Sequence, residues 1–164
     1  MLKIAVLTIS DRSARGQRDD ETGPALRARI AELPGEVMAA EVLPDDADQI
    51  ERRLVALADS GAADVILTAG GTGLAPRDVT PEATARVVER MVPGIAETMR
   101  ARSLEVTPHA MLSRAVAGVR GRCLIINLPG NPRGAVECLD VIAPALEHAV
   151  AVLTREIADW EHRP

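Results

Sequence analysis

Aromatic residues are almost absent from this chain of 164 residues, which has one tryptophan and no tyrosine or phenylalanine. Proteins that bind nucleic acid usually stack bases on aromatic side chains and present a basic surface to the phosphates. This chain instead has a formal net charge of −5. The composition therefore argues against a nucleic-acid partner.

Cysteine and histidine are also scarce. Cys123 and Cys138 stand in no metal-ligand spacing, so we expect both to be reduced structural thiols. The three histidines are scattered rather than paired with a carboxylate on one helical turn, and a zinc site has little support. Lys3 is the only lysine, so arginine supplies nearly all the positive charge for any bound anion.

Long apolar runs are missing too. No run is long enough to cross a bilayer, and the first one ends in Ser10-Asp11-Arg12 without the cleavage site of a signal peptide. We therefore expect a cytoplasmic protein with no membrane partner. Hydrophobic residues make up 47% of the chain, and the length suits one core, which predicts a single domain over residues 1–164.

Several short runs are apolar throughout and predict strands. Three of them, residues 3–9, 64–68 and Cys123–Leu128, look buried on both faces, as in a largely parallel sheet covered by helices. Residues 36–43 are a fourth, weaker candidate. Between the strands, apolar residues recur with helical spacing, first at Leu26, Ile30 and Leu33 and then at Ile50, Leu54 and Leu57.

Capping residues mark where the helices begin. Thr22 precedes Gly23-Pro24, Asp46 and Asp48 precede the second helix, and Thr80 precedes Pro81. Further along, we expect a helix over residues 95–104, a short ribbon over residues 113–119, and a long helix after Pro132. Its apolar stripe continues to Ile157, and Pro144 should kink or restart it. These elements predict a three-layer α/β/α domain with a mostly parallel, mixed central sheet.

Polar or glycine-rich segments follow four of the predicted strands. Parallel strands bring such segments to one edge of the sheet, where ligands of open α/β sheets bind. They are Ser10-Asp11-Arg12, Pro44-Asp45-Asp46, Gly70-Gly71-Thr72-Gly73 and Pro129-Gly130-Asn131-Pro132. The glycines let main-chain N–H groups approach an anion without interference from a Cβ, and Thr72 adds a hydroxyl donor. The loop Gly70-Gly71-Thr72-Gly73 is therefore predicted to bind phosphate, although a tight turn is its simpler interpretation.

Asp45 and Asp78 each lie shortly after a strand that should deliver them to that edge. Helix capping is the alternative interpretation, weaker for Asp78 because Thr80 is a better cap and stronger for Asp45. Two neighbouring carboxylates repel each other unless a divalent cation lies between them. We therefore predict a Mg²⁺ site at Asp45 and Asp78, with a nucleotide phosphate as its partner.

The chain resembles the MogA/MoaB family of molybdenum-cofactor proteins, which includes the G domains of gephyrin and of its plant counterpart. The resemblance covers nearly the whole chain. Two segments are specific in combination, residues 70–84 and 129–132, and further support comes from residues 8–12, 44–46, 110–114 and 127–128. Ala69 departs from the family pattern, where many relatives carry threonine, which should alter packing more than chemistry.

The resemblance implies a MogA-like fold, a homotrimer or hexamer, and a molybdopterin adenylyltransferase that uses Mg-ATP and releases pyrophosphate. It also implies a MoeA-like partner that inserts molybdate. Carboxylates matching Asp45 and Asp78 are the expected catalytic and metal-binding residues. The expected substrate contacts are Ser10, Gly70, Gly71, Thr72, Gly73, Ser113, Arg114, Pro129, Gly130 and Asn131.

Three alternatives stay open at this stage. The chain could be a non-catalytic molybdopterin carrier of the MoaB type, although the presence of both Asp45 and Asp78 favours the enzyme. A scaffold role like that of gephyrin needs additional domains. Ser113 and Arg114 could equally form the polar edge of the ribbon, and Trp160 is expected to be a helix-packing or subunit-contact residue.

Overall fold

A computed structural model describes residues 1–154, so the predicted positions of Ile157 and Trp160 lie outside the described residues. Six strands form one sheet in the order β2-β1-β3-β6-β5-β4. Their bounds are β1 Leu2–Ile9, β2 Gly35–Leu43, β3 Val65–Ala69, β4 Arg90–Met91, β5 Ala117–Arg120 and β6 Cys123–Leu128. The first four in the spatial order run parallel, whereas β5 pairs antiparallel with β6 and β4 pairs antiparallel with β5. The mixed, mostly parallel sheet is thus confirmed.

Among residues 1–154, six α-helices and one 3-10 helix lie between or after the strands. The α-helices are α1 Asp11–Ala14, α2 Thr22–Ile30, α3 Ala47–Asp59, α4 Thr80–Val87, α5 Pro93–Leu104 and α6 Pro132–Thr154. The 3-10 helix, Pro108–Leu112, follows α5. In the described part of the chain, no helix is long and apolar enough to span a membrane.

Alternation of side chains along the strands divides the apolar core into two layers. Ile4 and Val6 of β1 join the layer formed with α2, α5 and α6, whereas Ala5 and Leu7 join the layer formed with α3 and α4. β3 and β6 are buried along their whole length because helices cover both faces. β2 alternates between partly buried and exposed residues, as expected of an edge strand. The three-layer prediction is therefore confirmed.

Three of the predicted helix caps are wrong, the first being Asp48, which lies inside the first turn of α3 rather than before it. Asp46 caps α3 as expected, since its carboxylate accepts from the N–H of Gln49 at 2.9 Å. Thr22, however, is the first residue of α2, and its hydroxyl donates to the carbonyl of Gly130 at 2.7 Å. Asp20 caps that helix instead. Thr80 is likewise inside α4, because its N–H donates to the carbonyl of Gly71 and pulls the helix start toward the glycine loop.

Smaller differences lie at element ends. α2 stops at Ile30, so Leu33 packs against the core from a turn rather than from the helix. The ribbon predicted over residues 113–119 begins later, at Ala117, and residues 113–116 connect the end of the 3-10 helix to it without forming a strand. α6 runs through Pro144 as one helix and does not restart there. Cys123 and Cys138 are buried free thiols, as predicted.

Candidate functional site

The four polar loops meet at the carboxyl edge of the parallel strands. The N–H of Ser10 donates to the carbonyl of Leu43 at 2.9 Å, which joins the loops after β1 and β2. The N–H of Gly70 donates to the carbonyl of Leu128 at 3.1 Å, which joins the loops after β3 and β6. The convergence expected from parallel strands is therefore what the structure contains.

Gly70 and Gly71 adopt backbone conformations that other residues rarely tolerate, with φ of 111° and 66°. A Cβ at Gly70 would lie 2.3 Å from the carbonyl oxygen of Ile9. A Cβ at Gly71 would lie 2.3 Å from the hydroxyl of Thr80 and 3.0 Å from Oδ1 of Asp45. Both positions therefore require glycine, because oxygen atoms of neighbouring loops occupy the space that a side chain would need.

Asp45 and Asp78 lie against the glycine loop from two sides. Oδ2 of Asp45 accepts from the N–H of Asp11 at 2.9 Å, and the N–H of Asp45 donates to Oδ1 of Asp11 at 3.1 Å. Oδ2 of Asp78 accepts from the N–H of Ala75 at 3.0 Å and would lie 2.9 Å from a Cβ at Gly73. Asp46 caps α3 and Val79 stands at the cap position of α4, so neither Asp45 nor Asp78 caps the helix that follows it, and the capping alternative is wrong for both residues.

Asp45 and Asp11, which are hydrogen-bonded to each other, have different electrostatic surroundings. Burial raises the pKa of Asp45, and the negative charges of Asp11 and Asp78 add to that rise, while the N–H of Asp11 opposes it. The hydrogen-bonded Arg77 guanidinium lowers the pKa of Asp11. Asp45 is thus a carboxylate that a nearby cation would stabilise in its ionised form.

A cavity of about 380 Å³ opens beside Asp45 and Asp78, and we call it the acidic cavity. Arg18 is the one basic residue among the described residues that line it. Five acidic residues also line it, namely Asp19, Asp20, Glu21, Asp45 and Asp78. Asp20 already has structural partners, since it accepts from the hydroxyl of Thr8 and from two N–H groups of α2. The other predicted site residues that line this cavity are Ser10, Gly70, Gly71, Gly130 and Asn131.

A second cavity, of about 500 Å³, lies on the other side of the Gly130 turn, and we call it the apolar cavity. α5, the 3-10 helix and α6 supply most of its wall, including Ala96, Met99, Leu112 and Cys138. The predicted substrate contacts that line this second cavity are Thr72, Gly73, Ser113, Pro129 and Asn131. Asn131 alone among the predicted residues borders both cavities.

Arg114 lines neither cavity and instead fastens the loop that carries Asp78. Its guanidinium donates to the carbonyls of Gly73 at 2.8 Å and Asp78 at 2.7 Å, and it also pairs with Glu82. Its main-chain N–H donates to the carbonyl of Thr72 at 2.9 Å. The arrangement makes Arg114 a residue that positions the glycine loop.

The residues around Gly71 suit a hard divalent cation. Asp45 and Asp78 offer carboxylate oxygens, and the fully buried hydroxyl of Thr80 has no hydrogen-bond partner. Mg²⁺ prefers oxygen ligands and is usually held by one or two carboxylates together with substrate phosphates. Among residues 1–154 no group of three or more His, Cys, Asp or Glu side chains is placed to hold a metal ion by itself, so a cation at Asp45 and Asp78 would need further oxygen ligands from its substrate.

Sequence reasoning missed several residues of the two cavities. Arg100, whose Nη1 donates to the carbonyl of Ala115 at 2.8 Å, lines the apolar cavity from a helix with no local motif. Asn127 carried a signal, because it is a lone amide inside an apolar strand. Its Nδ2 donates to the hydroxyls of Thr68 and Thr84, both at 2.9 Å, and this buried network ties β6 to β3 and α4.

Comparison with known proteins identifies the family. The family described as "Probable molybdopterin binding domain" matches residues 5–148. A molybdopterin adenylyltransferase of Helicobacter pylori is 42% identical over 93% of this chain and 88% of its own length. Gephyrin of Dictyostelium discoideum is 39% identical over 92% of this chain, which spans 22% of that longer protein. A crystal structure of the molybdopterin biosynthesis enzyme MoaB from Thermus thermophilus is 52% identical, with a TM-score of 0.89 over 94% of this chain and 98% of that one.

Proposed function

Because the chain belongs to the molybdopterin-binding domain family, we propose that it is a molybdopterin adenylyltransferase. The enzyme transfers the AMP part of ATP to the terminal phosphate of molybdopterin during molybdenum-cofactor biosynthesis. One observation carries the proposal beyond family membership: Asp45 and Asp78 come from separate loops and face the same glycine loop beside a cavity.

In this proposal Mg²⁺ is held by the carboxylates of Asp45 and Asp78. When bound, the ion supplies the positive charge that the acidic cavity lacks and that a triphosphate requires. A cation bound there would also stabilise the ionised form of Asp45, which burial and the negative charges of Asp11 and Asp78 disfavour.

The main-chain amides of Gly71 and Gly73, with the hydroxyl of Thr72, hold phosphate oxygens. The amide of Gly70, which the sequence also suggested for this role, instead donates to the carbonyl of Leu128. The start of α6 adds to this positive potential, because the unpaired N–H groups and dipole of a helix N-terminus attract anions. Asn131 stabilises that start by accepting from the N–H of Gly134 at 2.9 Å. The loop and the helix start both lie beside the turn that separates the two cavities.

The reaction joins two phosphates at that turn. An oxygen of the molybdopterin phosphate attacks the α-phosphorus of ATP, a new P–O bond forms, and the bond to the β-phosphate breaks with its electron pair leaving on pyrophosphate. The attacking phosphate is already ionised near neutral pH, so no strong general base is needed. The protein's contribution is positioning and charge neutralisation.

We assign the nucleotide phosphates to the acidic cavity and molybdopterin to the apolar cavity. Asp45, Asp78 and Ser10 line the first, and Ser113 lines the second. No Phe, Tyr or Trp side chain among residues 1–154 lines either cavity, so aliphatic walls and hydrogen bonds to the main chain hold the ring systems, with the imidazole of His109 also lining the apolar cavity. Asn131 touches both substrates near the reacting phosphates.

The test is to incubate the protein with ATP, Mg²⁺ and molybdopterin and to measure adenylylated molybdopterin by mass spectrometry alongside pyrophosphate. We expect one pyrophosphate per adenylylated product and no product when Mg²⁺ is omitted. Tight binding of molybdopterin without pyrophosphate release would contradict the enzyme and support the non-catalytic carrier of the MoaB type.

Three features implied by the family resemblance belong to the same proposal: assembly as a homotrimer or hexamer, location in the cytoplasm, and delivery of the product to a MoeA-like protein that inserts molybdate. Light scattering measures the first directly. We expect a mass three or six times that of the 17.4 kDa chain, and a monomer would contradict it.

A further inference from the structure

Thr80 has the only buried side-chain oxygen or nitrogen without a hydrogen-bond partner in the part of the chain that the structure describes. The residue is fully buried. Native proteins rarely leave such a group unpaired, because removing a hydroxyl from water without a replacement partner costs free energy. An unpaired hydroxyl at this position therefore needs an explanation.

Thr84, one turn further along α4, shows what an ordinary buried threonine does in this protein. It is also fully buried, and its hydroxyl accepts from Nδ2 of Asn127 at 2.9 Å. Thr68 is fully buried and accepts from the same amide. Burial alone therefore does not leave a threonine hydroxyl unpaired here, and the unpaired state is particular to Thr80.

The hydroxyl of Thr80 lies at the centre of the glycine loop. Its main-chain N–H donates to the carbonyl of Gly71 at 3.2 Å, which fixes α4 against that loop. The position that a Cβ of Gly71 would occupy is 2.3 Å from this hydroxyl and 3.0 Å from Oδ1 of Asp45. The hydroxyl and the carboxylate therefore border the same small space above Gly71.

We propose that the hydroxyl of Thr80 is a third protein oxygen donor of the divalent-cation site, beside the carboxylates of Asp45 and Asp78. The inference rests on the proposed metal, and it adds a ligand from α4 to the two from loops. A neutral hydroxyl provides a lone pair for a hard cation without adding negative charge to an acidic site. Metal binding thus supplies the partner that the apo protein lacks.

The experiment compares Thr80→Val, which replaces the hydroxyl by a methyl group of similar size, with Thr80→Ser, which keeps the hydroxyl. Binding of Mn²⁺ in the presence of α,β-methylene-ATP is followed by electron paramagnetic resonance, and the apo proteins are melted. We expect Thr80→Val to weaken Mn²⁺ binding by roughly tenfold or more. It should also raise the apo Tm by about 2–4 °C, because an unpaired buried hydroxyl is removed.

Thr80→Ser should bind Mn²⁺ within about threefold of the wild type, a difference of less than 1 kcal/mol. A structural role alone predicts the opposite pattern, with Thr80→Val less stable and its Mn²⁺ affinity unchanged. Equal affinities for wild type and Thr80→Val overturn the proposal. If the valine variant does not fold, Thr80→Ala and Thr80→Ser replace it, since they differ from each other by the hydroxyl.

The experiment distinguishes failure of the Thr80 inference from failure of the proposed function. Failure of wild-type protein to bind Mn²⁺ with the nucleotide analogue overturns the metal site as a whole. Binding to wild type that is insensitive to the Thr80 hydroxyl overturns this inference alone and leaves adenylyl transfer, measured as pyrophosphate release, untouched.

Discussion

The acidic and apolar cavities share the turn at Asn131 but are built in different ways. Loops that follow parallel strands supply the acidic cavity, and its side chains carry charge. Helices α5 and α6 and the 3-10 helix supply most of the apolar cavity, whose accessible wall is mostly apolar although Arg100, Arg133 and Glu137 also line it. The difference teaches that one edge of the sheet can serve two unlike ligands, because the turn separates a charged subsite from an apolar one.

The largest expected effect comes from Asp78→Asn. Adenylylation should fall by about a thousandfold or more, because the variant loses a metal-binding carboxylate while keeping an acceptor for the N–H of Ala75. The apo protein should melt at the same temperature or slightly higher, since a charge that repels Asp45 is removed. Pyrophosphate release and a thermal melt measure the two effects.

Asp48→Asn is the matched control for that variant. Asp48 is an exposed carboxylate of α3 that lines neither cavity, so its replacement should leave activity within about twofold of wild type. Full activity of Asp78→Asn, or a grossly unfolded Asp78→Asn protein, would contradict the assignment of Asp78 as a metal-binding residue of the acidic cavity.

Ser103→Leu probes the apolar cavity and should have a smaller effect. Ser103 lines this cavity from α5, and its hydroxyl lies 3.6 Å from Sγ of Cys138. A leucine there fills space that molybdopterin occupies in the proposal, so the Kd for molybdopterin should rise roughly tenfold, a cost of about 1.4 kcal/mol. Calorimetric titration should show unchanged binding of Mg²⁺ and α,β-methylene-ATP.

Ser103→Ala separates bulk from the loss of the hydroxyl and should bind molybdopterin as the wild type does. If Ser103→Leu weakens nucleotide binding and spares molybdopterin binding, the assignment of ligands to cavities is reversed.

The smallest effect concerns pH and the apo protein. Because the pKa of Asp45 is raised in the folded state, mainly by burial, its ionisation destabilises the fold as pH rises through that pKa. Asp45→Asn should therefore be more stable than wild type at pH 7, and the advantage should disappear as the pH falls below the ordinary range for an aspartate. Thermal melts across pH without metal measure this, and an advantage that grows on acidification would contradict it.

The different construction of the two cavities explains how much of each the sequence could predict. Part of the acidic cavity was predicted, because Ser10, Asp45 and Gly71 lie shortly after apolar strands and a parallel sheet places such positions together. Residues 18–22, which also line this cavity, follow α1 rather than a strand and were not predicted. The apolar cavity was not recognised as a separate site, because Met99, Arg100 and Cys138 come from helices whose relative placement no local motif specifies. The two-residue strand Arg90–Met91 is exposed and has no pattern to reveal it.

The wrong helix caps at Thr22 and Thr80 have a common physical cause. Sequence spacing shows that Thr22 and Thr80 stand beside a helix start, but it does not show which contacts with other loops hold each residue in place. In the structure, Thr22 donates to Gly130, and Thr80 is drawn against Gly71. Both threonines therefore join their helices to the site loops, an effect of tertiary contacts that local propensity does not contain.

A crystal structure with Mn²⁺ and α,β-methylene-ATP tests the central claim most directly. We predict an anomalous peak for Mn²⁺ between the side chains of Asp45 and Asp78, with the triphosphate in the acidic cavity along Gly70 and Gly71. A metal bound elsewhere, or a triphosphate lying in the apolar cavity beside Met99, would contradict it.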